Sequence, residues 1–191
     1  MAYKNGNRAN VLNRWYSRNK EGLNRQAART PFKGEPQYTF DELFITPFTH
    51  AFTADNEGRT GYTPIKRNLS PTGINILDAY LQALHRGHSD IADFCDRYNA
   101  RTSDLDGLIF LLTGMSNQEF RNRWILKTAD LLLRYTDMTV EEIARRSGAG
   151  TRTNLYFIYE RDLNTSPTAR RHALRKPGEK GRYKIVEKQK E

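Results

Sequence analysis

The run Thr151-Arg152-Thr153-Asn154-Leu155-Tyr156 carries side chains that can read nucleic-acid bases. A guanidinium offers paired N–H groups to guanine, a carboxamide offers a donor and an acceptor to adenine, and a hydroxyl serves either. Such groups discriminate bases only when a rigid element delivers them into the major groove, and an α-helix fits that groove. The chemistry suggested is therefore recognition of a duplex, with no bond made or broken.

The flanking residues predict such an element. Thr139 with Glu142 three positions on is a capping box, which satisfies orphan N–H groups at a helix start. Val140, Ile143 and Ala144 give that helix one apolar face, and Gly148 can adopt the left-handed conformation that ends it. Thr151 can cap a second helix whose first turns turn Arg152, Thr153, Asn154 and Tyr156 outward. The pattern reads as helix, tight turn, helix.

The rest of the chain supplies a scaffold. Ser70-Pro71 predicts a helix start, with Ile74, Leu77, Leu81 and Leu84 on one face and Gly87 ending it. Residues 89–98 predict a helix with Ile91, Ala92, Phe94 and Cys95 inward, and 103–112 another, stopped by Gly114. Ser116 and Glu119 open a long helix to about Tyr135, buried along Phe120, Trp124, Thr128, Leu131 and Leu132. After Thr139–Leu163, Asn164 ends the second helix, Ser166-Pro167 starts a last helix to about Arg175, and Pro177-Gly178 closes the fold. No β pattern interrupts this, so the expected class is all-α. Two helix-turn-helix units, 89–112 and 139–163, stand on either side of the long linker helix. Ile91-Ala92 is expected to parallel Ile143-Ala144, and Leu105 to parallel Leu155.

Outside this body the expectations are looser. Residues 1–36 read as a basic arm, largely disordered alone, with 10–28 able to form a helix on demand. Residues 37–69 read as an irregular aromatic segment, with Phe40, Phe44, Phe48 and Phe52 at spacings of four. It is either a surface for a protein partner or a ligand or, as favoured here, an arm packing its rings on the main domain. The double unit is placed at 70–176 and a basic tail at 177–191.

Charge follows the same division. Of the net +9, residues 1–34 contribute eight Lys/Arg against one Glu, and 170–191 nine against three, which leaves a mildly acidic middle. Basic tails attract polyanions by counterion release, without sequence preference. The single cysteine, Cys95, excludes an internal disulfide and fits a reducing compartment. Met1-Ala2-Tyr3-Lys4-Asn5-Gly6 lacks the apolar stretch of a secretory leader, and no apolar run reaches the length of a membrane span. A cytoplasmic protein is expected. His85, His88, Asp90, Asp93 and Cys95 lie close together, but their spacing matches no zinc site. No phosphate loop, catalytic carboxylate pair or Ser-His-Asp pattern stands out. No enzyme, metal or cofactor is expected.

The double unit resembles the DNA-binding domain of the AraC/XylS family of bacterial transcription regulators, over roughly residues 71–175. Ile143-Ala144, Gly148, Leu155, Tyr159, Asn164, Ser166-Pro167 and Arg171 carry the resemblance without gaps. Asn164 stands for the usual Gly and Ala149 for the usual Phe. The resemblance implies double-stranded DNA as partner and base contacts from Arg152, Thr153, Asn154, Tyr156 and Phe157. Arg152 then suits guanine, Asn154 adenine, and Phe157 either a thymine methyl or packing. Arg145, Arg146, Arg161 and Arg171 lie where they could hold phosphates, although Glu141, Glu142 and Asp162 compete for them. The first unit would present Arg101, Ser103, Asp104, Asp106 and Gly107. Its aspartates repel a duplex, so that half is expected to dock poorly on DNA, or to serve as scaffold. Two other readings remain open at this point: a protein-interaction module working through the acidic first unit or the aromatic segment, and a sequence-neutral nucleic-acid binder from a mobile element.

Overall fold

A computed structural model describes residues 34–54 and 56–185. The chain divides into Met1–Glu35 and Pro36–Glu191. Met1–Glu35 lies almost wholly outside the described residues, as does the expected 10–28 helix, and the architecture that follows is that of Pro36–Glu191.

Eight helices are described: α1 (Phe40–Leu43), α2 (Asn75–His85), α3 (Ile91–Arg97), α4 (Thr102–Thr113), α5 (Asn117–Tyr135), α6 (Val140–Ser147), α7 (Arg152–Leu163) and α8 (Pro167–Leu174). The caps explain most of their boundaries. Thr139 and Glu142 form the expected reciprocal box, with Glu142 Oε2 accepting from Thr139 N at 2.8 Å. Gly114, Gly148 and Asn164 each end a helix in the left-handed region. An asparagine tolerates that region better than most residues.

One helix start differs from expectation. Ser70-Pro71 begins no helix; α2 starts at Asn75 because Gly73 turns the chain at φ +86°. Asp78 Oδ1 then accepts from both Thr72 N (2.9 Å) and Thr72 Oγ1 (2.8 Å), which fastens the incoming loop to the helix.

The all-α expectation is corrected by a three-stranded antiparallel sheet of order β2-β1-β3, formed by β1 (Phe48–Ala54), β2 (Thr60–Pro64) and β3 (Tyr183–Ile185). The period-four reading of the phenylalanines hid it. Phe40 and Phe44 flank a single helical turn, whereas Phe48 and Phe52 lie on β1. The third strand comes from the far end of the sequence, where no local pattern announces pairing. The segment 37–69 is therefore not irregular, and 177–185 is not a free tail. Glu179 is buried against Arg134 (Nε to Oε2, 2.8 Å), and Tyr183 stacks on Phe48 at 4.7 Å.

Helix α5 separates two cores. Phe40, Leu43, Phe44 and Ile45 fill the first, with residues of α2, α3, α4 and the start of α5. The second joins the end of α5 to α6 and α7, with Phe48 inserted from the sheet. The aromatic segment thus packs inward, except for exposed Phe52 and Tyr62. Folding boundaries drawn at 70 and 176 would cut through both cores.

The internal repeat also shifts frame. Phe94 and Cys95 are buried on α3, while Ile91 is half-buried and Ala92 exposed. Asn99, at φ +49°, follows Cys95 by four residues, as Gly148 follows Ala144. The carbonyls of Cys95 and Ala144 each accept a turn-closing N–H, from Ala100 and Gly150 respectively, both at 3.0 Å. Phe94-Cys95 is the counterpart of Ile143-Ala144, and the first turn is one residue shorter.

Candidate nucleic-acid interface

The second unit presents the first turn of α7. Thr151 Oγ1 accepts from Asn154 N at 3.2 Å, and behind this cap Leu155, Ile158 and Tyr159 are buried. Arg152 and Thr153 are exposed. The other three expected readers are half-buried and engaged. Asn154 Nδ2 donates to the Ala149 carbonyl at 2.8 Å, so this side chain also holds the turn. Tyr156 Oη shares a 2.9 Å hydrogen bond with Thr168 Oγ1, and the Arg152 guanidinium lies 5.3 Å from its ring centre. The bonds to Thr168 and Arg152 hold the Tyr156 phenol below its ordinary pKa. Phe157 lies beneath the Arg161 guanidinium at 5.6 Å.

The four arginines differ as sharply. Arg145 is exposed and reaches Glu141 at 3.2 Å across one helical turn, and Arg146 is half-buried. Arg161 forks onto Asp162 with bonds of 2.5 and 2.6 Å. Arg171 donates to the Met138 carbonyl and so braces the entry to α6.

An ion-pair network that sequence reasoning missed sets the pose of α7. Arg170 on α8 grips Asp130 on α5, with Nη2 2.6 Å from Oδ2, and Tyr159 Oη donates to Asp130 Oδ1 at 2.8 Å. Burial, reinforced by the Asp130 charge, pushes the Tyr159 phenol pKa up, so it stays a donor. The partners are 29 and 40 residues away, so no local spacing announces the network. A second lock joins the halves. Ser89, before α3, donates to the Gly148 carbonyl and accepts from Arg121 Nη2 (3.1 Å), while a Cβ on Gly87 would lie 2.7 Å from the Arg145 carbonyl oxygen.

The first unit presents a different surface. Arg101, Ser103 and Asp104 are exposed, but Asp104 Oδ2 lies 3.1 Å from Arg101 Nε, so the two charges offset. The bond to Arg101 holds the Asp104 carboxyl below the usual range. Asp106 is half-buried and accepts from Asn117 N at 3.0 Å, which makes it a cap for α5. Gly107 faces open space, and Leu111 is 67% exposed one turn on.

Three of the five residues weighed for metal binding, His85, Asp90 and Asp93, have other partners. Arg67 donates to His85 Nε2 at 2.8 Å, and burial first, with the Arg67 charge, brings the His85 pKa down to about 4. Asp90 caps α3, Asp93 pairs with Arg97, and Cys95 is buried with its thiol pKa raised by that burial. Among the described residues no group of three His, Cys, Asp or Glu is placed to hold a metal, and no helix is long and apolar enough to cross a membrane.

No protein-family model matches the chain, and no curated protein matches it. Three solved structures share part of its geometry. The DNA-binding domain of AdpA, a global transcriptional factor in complex with a target DNA, is 28% identical, with a TM-score of 0.43, over 52% of this chain and 88% of that one. The C-terminal domain of AraT, a response regulator from Geobacillus stearothermophilus, is 20% identical (TM-score 0.45, 64% of this chain and 93% of that one). The xylose-binding transcription activator xylR is 18% identical (TM-score 0.42, 61% of this chain), and only 33% of its length is covered.

Proposed function

We propose that this chain is a sequence-specific, duplex-DNA-binding regulator of the bacterial AraC/XylS kind, reading the major groove chiefly with α7. The presentation of Arg152 and Thr153 carries the reading. Both are exposed on the first turn of a capped helix whose opposite face is buried and whose pose is held by Asp130, Tyr159 and Arg170. Rigid support is what base discrimination requires. Arg152 is the reader with a fork of donors, and Thr153 offers a hydroxyl beside it. Asn154 retains Oδ1 as an acceptor while its amide holds the turn. Arg145 is the exposed phosphate candidate, and release from Glu141 costs little at a surface.

The halves are used unequally in this proposal. The ion pair Arg101–Asp104 neutralises the leading edge of α4, and Asp106 is committed to capping α5.

Selection of bound fragments from random duplex DNA tests the reading, using the full chain because residues 40–48 belong to the cores. A sequence preference should persist at salt that strips away tail-driven binding. Arg152→Ala should then weaken the selected site about 5- to 150-fold, as expected for a bidentate base contact of about 1–3 kcal/mol, whereas Asp104→Ala should leave it unchanged or tighter. No preference at any salt, or the reverse ranking of the two variants, overturns the proposal.

A further inference from the structure

One surface has no part in the duplex reading: the outer face of the three-stranded sheet. Register places its members. Phe52 pairs with Tyr62 and His50 with Pro64 across β1–β2, while His50 pairs with Lys184 across β1–β3. Phe52 N donates to the Arg182 carbonyl at 2.7 Å, which continues the ladder by one residue. Directly opposed residues of an antiparallel pair share a face. One face therefore carries two rings, an imidazole and two cations. The position of Lys184 Nζ, 4.5 Å from the Tyr62 ring centre, agrees with this placement.

That face is unusual for this body. Phe52 is 44% and Tyr62 40% exposed, and the rings touch edge-on at 5.3 Å between centres. Tyr62 Oη donates to the Gly181 carbonyl at 2.6 Å, which fixes its ring instead of leaving it to fold inward. The three strands contain no Asp or Glu, although the middle of the chain is net acidic. Rings held outward and flanked by cations suit a polyanion that also offers flat apolar surfaces. Single-stranded nucleic acid has both, since its bases can unstack onto aromatic side chains while Lys and Arg hold phosphates. A closed duplex buries its base faces and gives the rings nothing to stack on.

We propose that Phe52, Tyr62, Arg182 and Lys184 form a stacking platform for single-stranded nucleic acid, separate from α7. It stands independently of the duplex reading. The sheet engages unpaired nucleotides without base preference, the rings taking the bases and Lys184 leaving Tyr62 for a phosphate.

The test measures binding of the full chain to a labelled oligothymidylate and to a labelled random duplex, by fluorescence anisotropy across a salt series. At salt high enough to suppress the tails, Phe52→Ala and Tyr62→Ala should each weaken the single strand about tenfold and leave the duplex unchanged. Phe52→Tyr and Tyr62→Phe keep the rings and should keep most of the affinity. Thr63→Ala, on the opposite face, should have no effect. The proposal fails if neither alanine variant weakens the single strand, if both nucleic acids lose equally, or if the ring-retaining variants lose as much as the alanines. It fails also if the alanine variants instead lose binding to phosphatidylserine vesicles while the oligothymidylate is unaffected.

Discussion

Four phenylalanines at the same spacing offer a graded test of the two cores. Phe40 is 2% exposed; its ring meets Phe44 at 5.7 Å, Phe120 at 5.4 Å and Trp124 at 6.3 Å, with the Arg123 guanidinium 4.7 Å above it. Truncating a buried phenylalanine costs about 3–5 kcal/mol, through lost transfer energy and the cavity left behind. Against a total stability of about 5–15 kcal/mol, Phe40→Ala should remove about a fifth or more. Phe52 has the same residue type and spacing, but it lies on the open face of the sheet and meets chiefly the edge of Tyr62. Phe52→Ala should cost less than about 1 kcal/mol, the scale of one aromatic pair at a surface. Urea unfolding of the full chain separates the two cases. With a slope near 2 kcal/mol/M, the midpoint should fall by about 2 M for Phe40→Ala and by less than about 0.5 M for Phe52→Ala. Phe44→Ala and Phe48→Ala should fall near the first value, since both rings are buried. Equal shifts for Phe40 and Phe52 would refute the inclusion of residues 37–48 in the core.

Gly87→Ala should destabilise by about 2–4 kcal/mol, because its Cβ would sit 2.7 Å from the Arg145 carbonyl oxygen at φ +82°; an unchanged melting temperature rules out that close approach. Asp130→Ala should cost about 2 kcal/mol by stranding Arg170 and Tyr159, and Asp130→Asn should cost less; equal losses in thermal melts would show that the charge contributes and the tyrosine bond does not. His85, with a folded pKa near 4 against an ordinary value of 6.5, takes up its proton in the unfolded chain first. Its contribution is therefore complete above about pH 6.5 and lost as pH falls towards 4, roughly 1–2 kcal/mol in all. His85→Gln should flatten the decline in melting temperature between pH 7 and 5, and an unaltered slope would exclude His85 as its source.

The second helix-turn-helix was legible because its signals are local. Thr139 and Glu142 lie one turn apart, Gly148 and Asn164 mark the stops, and Ile143, Ala144, Leu155 and Tyr159 mark the inward face. Backbone capping and side-chain periodicity act over a few residues, so they can be read without knowing where the chain goes next. The first unit was legible in outline, but its frame slipped by three positions. Ile91-Ala92 and Phe94-Cys95 are both apolar pairs one turn apart, and only the packing of α3 decided which pair faces inward.

What the sequence by itself determined is the series of helices from α2 to α8, their caps apart from the starts of α2 and α4, and the polar leading edge of α7. The tertiary structure alone decided the rest. Whether Phe48 begins a strand depends on Tyr183, 135 residues away, and whether Asn154 is free to read a base depends on the Ala149 carbonyl across a folded turn. Arg171 became a brace and Arg152 stayed exposed, although both are arginines beside the same motif. The same side chain is reader, brace or cap according to which distant carbonyl or carboxylate the packed chain sets before it, and that choice is made by long-range packing.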